Sequence, residues 1–369
     1  MVTRRRLPKP NHLDGKKRMN LALLEELCNT QGVSGYEEKV QDIASRELIP
    51  YCDEVFEDRM GNIIGVKKAN KPVEGERPLK VMYCAHSDEQ GFRVVGITDE
   101  GYVRLTGLGG PYRMPMTGAE IWIDGKEPVY GVFVPTDPNA TEYPPTEELL
   151  VFTGCDPEWV KEMVTYGDRA TWNTTFRKFS QDVVCSRNFD DRAGVYCMLE
   201  SAKHIKDLSV DLYFVASVQE EVGTRGAMVA SQAILPDIGV AVDGGCITSP
   251  MHGGKEGWTS VLGRGAAIYH FDNLTIPSRT LVNYLHKVAE DKGIAAHANW
   301  WGGTDAHQMQ KQGKGCFATT IGAPSAFMHW PSGLANTKDI QAVTDLLAEF
   351  AMAAHDMDIT TDPWIKRDN

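Results

Sequence analysis

Six residues with cation-binding side chains, His86, Asp190, Glu220, Glu221, Asp243 and His329, stand where apolar runs end or helical patterns begin. His86 and Asp88 lie two apart, so on extended backbone they point the same way. An imidazole there can bind a metal while Asp88 orients the ring and tunes its basicity; a solvated loop would show the same spacing. Asp190 and Asp191 precede Arg192-Ala193-Gly194 at a helix start. Acids at that point cap orphan N–H groups, and a carboxylate there can also bridge two cations, so spacing leaves both readings open. Glu220 and Glu221 are adjacent and would face opposite ways in a regular strand. At a strand end the alternation lapses, and one can ligate a metal while the other stays free as a general base toward a metal-activated water. Asp243 ends another apolar strand before Gly244-Gly245, and His329 precedes a Pro331-Ser332-Gly333 turn. Taken singly, each could be a satisfied structural group. Together, two imidazoles, a shared carboxylate, a Glu and an Asp make the mixed nitrogen and oxygen ligand set of two adjacent ions, with Zn2+ first and Co2+ or Mn2+ as alternatives.

The elements that must position these groups are readable from periodicity. Leu21, Leu24, Leu27 and Cys28 predict a helix ending near Gly32. Ser34 and Glu37 form a capping-box signature for a second helix through Val40, Ile43 and Leu48. Ile63 to Val66 and Leu79 to Ala85 predict strands, the latter so apolar that both its faces must be covered. After Glu89 short alternating runs (Phe92 to Ile97, Tyr102 to Leu105, Ile121 to Ile123, Val129 to Val134) are separated by turns such as Gly109-Gly110-Pro111, the pattern of a small β-barrel. Asp156-Pro157 starts a short helix, and residues 169 to 185 read as returning β-structure. From Asp191 strands and helices alternate: a helix through Val195 to Ala202, a strand Val210 to Val218, a helix Met228 to Leu235 and a strand Ile238 to Val242. Helices at Leu281 to Val288 and Ile340 to Met352 flank short strands at His297 to Trp300, Phe317 to Ile321 and Ala326 to His329. The prediction is an α/β fold: a mixed, mainly parallel sheet flanked by helices, with an inserted small β-barrel. His86, Glu220, Glu221, Asp243 and His329 then fall at the C-terminal ends of strands, where open α/β sheets form their sites, and Asp190 falls at a helix start.

Composition narrows the functional classes. With 369 residues and 42% apolar side chains the chain can build two cores. A formal charge of -12 argues against nucleic acid as a partner. No window reaches the roughly 18 apolar residues of a membrane span, and the start lacks the apolar stretch of a secretory signal. The eight cysteines are scattered without a Cys-x-x-Cys pair, as for reduced, buried thiols in the cytoplasm. Residues 1–18 carry seven Lys and Arg among prolines and polar residues and read as a disordered basic lead.

The motifs, in their order and spacing, resemble those of the tetrahedral, self-compartmentalising metallo-aminopeptidases, a family of glutamyl, leucyl and deblocking aminopeptidases whose members are sometimes described as endoglucanases. The resemblance spans about residues 20 to 360 and rests on Gly32-Val33-Ser34-Gly35, Ala85-His86-Ser87-Asp88-Glu89, Asp190-Asp191-Arg192-Ala193-Gly194, Gln219-Glu220-Glu221-Val222-Gly223, Gly302-Gly303-Thr304-Asp305-Ala306, and His329 before Pro331. It implies that His86 and Asp243 are terminal ligands of one metal, that Glu221 and His329 are those of the other, and that Asp190 bridges them. Glu220 becomes the general base and Asp88 the support of His86. It further implies a zinc-exopeptidase-like catalytic domain at 19–89 and 182–369, a barrel at 90–181 used in subunit assembly, and a homo-oligomer of twelve subunits acting on peptides with a free N-terminus.

Other amide hydrolases on such a fold, a deacylase or a carboxypeptidase, would use the same ligands. A glycoside hydrolase would need two carboxyls across a sugar bond and no metal, which leaves the histidines idle, and a non-catalytic assembly subunit would have lost a ligand or the base. His307, Trp300, Trp301, Asp305 and the Gly253-Gly254 loop are candidates to line the substrate pocket, without indicating which N-terminal residue it takes.

Overall fold

The computed structural model describes residues 19–112, 116–137, 149–247 and 261–360. The basic lead 1–18 and the Gly253-Gly254 loop lie outside them. The N-terminal segment forms α1 (Leu21–Asn29), with the Asn20 side chain accepting from Leu23 N, then α2 (Glu38–Leu48). The Ser34–Glu37 capping box does not form. Ser34 Oγ donates instead to Asp88 at 2.7 Å, and Glu37 accepts from Gly35 N and Gln219 N, so both side chains are drawn toward the strand ends where the chemistry lies.

Three strands follow, β1 (Glu54–Glu57), β2 (Ile63–Lys67) and β3 (Lys80–His86). The chain then leaves the sheet for β4 (Gly91–Ile97), β5 (Val103–Leu108), β6 (Glu120–Asp124), β7 (Pro128–Pro135) and β8 (Leu149–Phe152), passes through α3 (Pro157–Met163), and closes the barrel with β9 (Arg169–Trp172). These six strands pair antiparallel in the order β4-β5-β8-β7-β6-β9. Inward aromatic side chains hold it: Phe92 meets Trp172 edge-on at 4.8 Å and Phe133 at 5.2 Å. Asp156 caps α3 as its sequence predicts, accepting from Glu158 N and Trp159 N.

The remaining elements are β10 (Arg177–Lys178), β11 (Val183–Ser186), α4 (Phe189–Ala202), β12 (Asp211–Ser217), α5 (Arg225–Ile234), β13 (Ile238–Ile247), β14 (Ala266–Phe271), α6 (Arg279–Lys292), β15 (Ala296–Trp300), α7 (Ala306–Gln310), β16 (Phe317–Ala326), β17 (Gly333–Asn336) and α8 (Thr337–Ala353). Among the described residues they complete an eleven-stranded sheet, β1-β2-β12-β3-β13-β16-β17-β11-β10, with β14 and β15 branching from β16. The sheet is mixed. Its central strands β12, β3, β13 and β16 run parallel, whereas β1–β2 and β17–β11–β10 are added antiparallel at the two sides. The stretch from 169 to 185 therefore serves both bodies: β9 closes the barrel, while β10 and β11 join the large sheet.

Burial explains the apolar central strands. Along β3, Val81, Tyr83 and Ala85 belong to the core under α1, α2, α4, α6 and α8, while Met82 and Cys84 belong to the one under α5 and α7. Helices cover both faces, so no polar alternation survives. No described helix is long and apolar enough to cross a membrane.

Candidate metal centre

The parallel strands deliver the predicted groups to one end of the sheet. His86 is the last residue of β3, and Asp243 lies within β13, whose neighbour β3 stops pairing with it at Ala241. Asp190 and Asp191 occupy a non-helical kink in the first turn of α4 and divide the two roles their position allows. Asp191 Oδ1 caps the helix by accepting from Gly194 N at 2.9 Å, and its Oδ2 accepts from His86 N. Asp190 turns outward, Oδ1 lying 2.9 Å from His86 Nε2 and Oδ2 3.2 Å from His329 Nε2.

Past β12, Gln219 takes a left-handed φ of 56°, which ends the strand alternation and lets both following glutamates face the cavity. Their backbone N–H groups donate to Asp88, Glu220 N to Oδ1 at 2.9 Å and Glu221 N to Oδ2 at 3.2 Å. Asp88 also lies 3.3 Å from His86 Nδ1, so one fully buried carboxylate ties β3 to the end of β12. Of the strand predicted at Ala326 to His329, Ala326 is the last residue of β16 and the rest is a turn. Phe327 and His329 adopt left-handed φ of 62° and 61°, reversing the chain from β16 into β17, and the reversal aims His329 at the cavity.

Two donor groups result: His86 with Asp190 and Asp243, and Asp190 with Glu221 and His329. Within each, one ligand atom per residue lies inside 4.8 Å of the others, and Asp190 belongs to both. Glu220 belongs to neither, its carboxylate 4.0 Å from His86 Nε2.

The electrostatics are those of crowded acids. Burial pushes Glu221 up to about 8, against the lowering effect of His329. Burial, then the charge of Asp190, pushes Asp243 up to about 7. Burial likewise raises Glu220 well above the carboxylate range. Burial would raise Asp190 too, but hydrogen bonds from His329 and His86 outweigh it and hold it below its usual value. Burial disfavours a charged His329, yet Glu221 and Asp190 raise it to about 10. The donor chemistry fits divalent cations: Glu221 Oε1 is buried without a hydrogen-bond partner, and the clustered carboxyls need positive charge that two imidazoles supply only by protonation.

The groups open onto a cavity of about 380 Å³. Trp301 lines it, as expected. Trp300 does not, and neither do Asp305 and His307. Asp305 sits behind the site, accepting from Ser217 Oγ at 2.6 Å, and His307 is buried with Nδ1 donating to Thr304 O. Sequence reasoning missed Tyr269, Leu274 and Met328 as wall residues, which lie in no recognisable pattern, and missed Tyr112, which comes from the barrel. It also missed the tie beneath the site, where buried Glu89 accepts from Arg187 Nε at 2.7 Å and from Gly32 N at 3.0 Å.

Known proteins resemble this chain over most of its length. The lysyl aminopeptidase of Pyrococcus furiosus is 29% identical over 349 residues, covering 92% of this chain and 98% of that one. An aminopeptidase of the archaeon Desulfurococcus kamchatkensis superposes with a TM-score of 0.85 at 28% identity, over 90% of this chain and 94% of that one. The TET1 peptidase of Pyrococcus horikoshii, which can assemble into a tetrahedron or a large octahedral shell, does so with 0.79 at 27% identity, over 90% and 99%. The sequence model of the M42 glutamyl aminopeptidases matches residues 61–346, running through the barrel as well as most of the sheet, and the chain belongs to that family of peptide hydrolases.

Proposed function

We propose that this chain is a cytoplasmic, metal-dependent aminopeptidase that removes residues one at a time from the free N-terminus of peptides. His86 and Asp243 hold one divalent cation, Glu221 and His329 a second, and Asp190 serves both; Zn2+ suits these donors best, with Co2+ or Mn2+ chemically admissible. The observation that carries the reading is the pair of donor groups sharing Asp190, with a carboxylate left over. When bound, such cations act as Lewis acids on a peptide carbonyl and lower the pKa of a nearby water.

The protein's own groups do the rest. Glu220, outside both donor groups yet within 4.0 Å of His86, takes the proton of the attacking water and returns it to the leaving amine. Burial raises its proton affinity, which suits a group that must hold a proton between two steps. Asp88 keeps His86 and the Glu220–Glu221 backbone in register. The barrel is the assembly domain, and the chain forms a homo-oligomer of twelve, a reading supported by the TET1 relative's shells.

The test is hydrolysis of aminoacyl-p-nitroanilides and their N-acetylated counterparts by chelated protein, before and after adding Zn2+ or Co2+. Metal-dependent cleavage of the unblocked substrates alone is expected, with Glu220→Gln reducing kcat by at least about 100-fold at unchanged metal content. Release of acetate from the acetylated set, with the anilide bond left intact, would instead make the protein a deacylase.

A further inference from the structure

The cavity has two unlike sides. One is the cluster of acids and imidazoles already described. The other is formed by Tyr269, Leu274, Trp301, Gly302, Thr304 and Met328, and no described lining residue outside the acid and imidazole cluster carries a formal charge.

Polar groups on that side are already engaged within the protein. Tyr269 Oη donates to Gly244 O at 2.8 Å. Thr304 Oγ1 pairs with Thr320 Oγ1 at 2.7 Å, and Thr224 Oγ1 accepts from Gln308 Nε2 at 2.9 Å. The apolar side chains are seated tightly against glycines. A Cβ added to Gly303 would come within 2.5 Å of Leu274 Cδ1, and one added to Gly244 within 2.7 Å of Met328 Cε. Trp301 leans on Trp300 at 6.0 Å, and Trp300 stacks on Phe271 at 5.2 Å, so the indole is backed by further rings. Gly302, in contrast, has no described residue beyond its chain neighbours within 4 Å of where a Cβ would stand.

We propose that this wall receives the side chain of the substrate's N-terminal residue and selects large apolar ones, leucine, methionine and phenylalanine, over acidic and basic ones. The proposal rests on the aminopeptidase reading of the neighbouring cluster and names its substrate class. A Glu or Lys side chain placed there would exchange water for Leu274, Met328 and Trp301 without gaining a counter-charge. A Leu, Met or Phe side chain would gain the apolar contact with nothing left unpaired. Although the matched family is called glutamyl and one relative lysyl, the charged partner such preferences require is absent from the described wall.

The experiment measures kcat/KM of the metal-loaded protein on Leu-, Met-, Phe-, Glu- and Lys-p-nitroanilide, beside direct calorimetric binding of leucine and glutamate hydroxamates. The expected result is a preference of at least about tenfold for the apolar set in both measurements. Leu274 is 55% exposed, so substitution there leaves the fold intact; Leu274→Arg should lower kcat/KM on Leu and raise it on Glu, whereas Leu274→Ala should lower Leu only. Equal or better cleavage of Glu or Lys substrates, or equal hydroxamate affinities, overturns the proposal while leaving the aminopeptidase standing. Absence of all turnover overturns the aminopeptidase reading, and the hydroxamate affinities still decide whether the wall is selective.

Discussion

Asp88 carries more of the site than its place outside both donor groups suggests. Its two oxygens reach Ser34 Oγ, the backbone N–H groups of Glu220 and Glu221, and His86 Nδ1. Replacing it with Asn keeps the shape but puts a donor where an acceptor stood, facing N–H groups it cannot satisfy. Asp88→Asn is therefore expected to lose about 10- to 100-fold in activity and metal affinity with little change in secondary structure, checked by steady-state kinetics alongside metal analysis. The sequence shows His86 and Asp88 as a pair because residues two apart on a strand share a face. It does not show Ser34 or Glu37 as part of the site, because their spacing matches a helix cap equally well and only the fold brings β12 alongside.

At the scale of elements, the site is built at junctions, and junctions are stitched by buried charge. Arg187, between β11 and α4, donates to both oxygens of Glu89, between β3 and β4, and also to Thr174 O and Thr30 O. Arg187→Met would leave Glu89 buried with Arg192, at 3.5 Å, as its remaining cationic partner among the described residues, beside the N–H of Gly32. The expected cost is about 3–5 kcal/mol, read as a lower midpoint in denaturant, with the activity lost in parallel. Helices and central strands were legible because periodicity and burial coincide in them; β3 and β12 fall within a residue of their apolar runs, while β13 starts where predicted and continues past Val242 to Ile247. The strand expected at Ala326 to His329 was not, because apolar residues in a tight reversal look the same as apolar residues in a strand, and the left-handed φ at Phe327 and His329 has no signature when the residues are not glycine. The short strands β1, at one edge of the sheet, and β17, between β16 and β11, escaped for a related reason: they are held by their neighbours' ladders more than by their own composition.

For the whole molecule, the barrel's outer face matters. Tyr130 and Phe152 are 54% and 50% exposed and border a shallow groove with Val132 and Gly154. Rings left in water on a surface read as an assembly face are natural anchors between subunits. Phe152→Glu is expected to shift the protein from a large assembly toward smaller species in light scattering, while the circular-dichroism signal of the helices is retained. An unchanged mass would place the subunit contacts elsewhere.

The connection after β5 links that outer body to the chemistry. Gly109 approaches so closely that a Cβ there would come within 2.8 Å of Glu221 Cβ, Gly110 O lies 3.1 Å from His329 Nδ1, and Tyr112 N donates to His329 O. The inserted body therefore clasps a residue of the host fold from both sides of its backbone and ring. Insertion and host are thus fitted to one another at His329, so that a displacement of the connection after β5 would carry this ligand candidate with it.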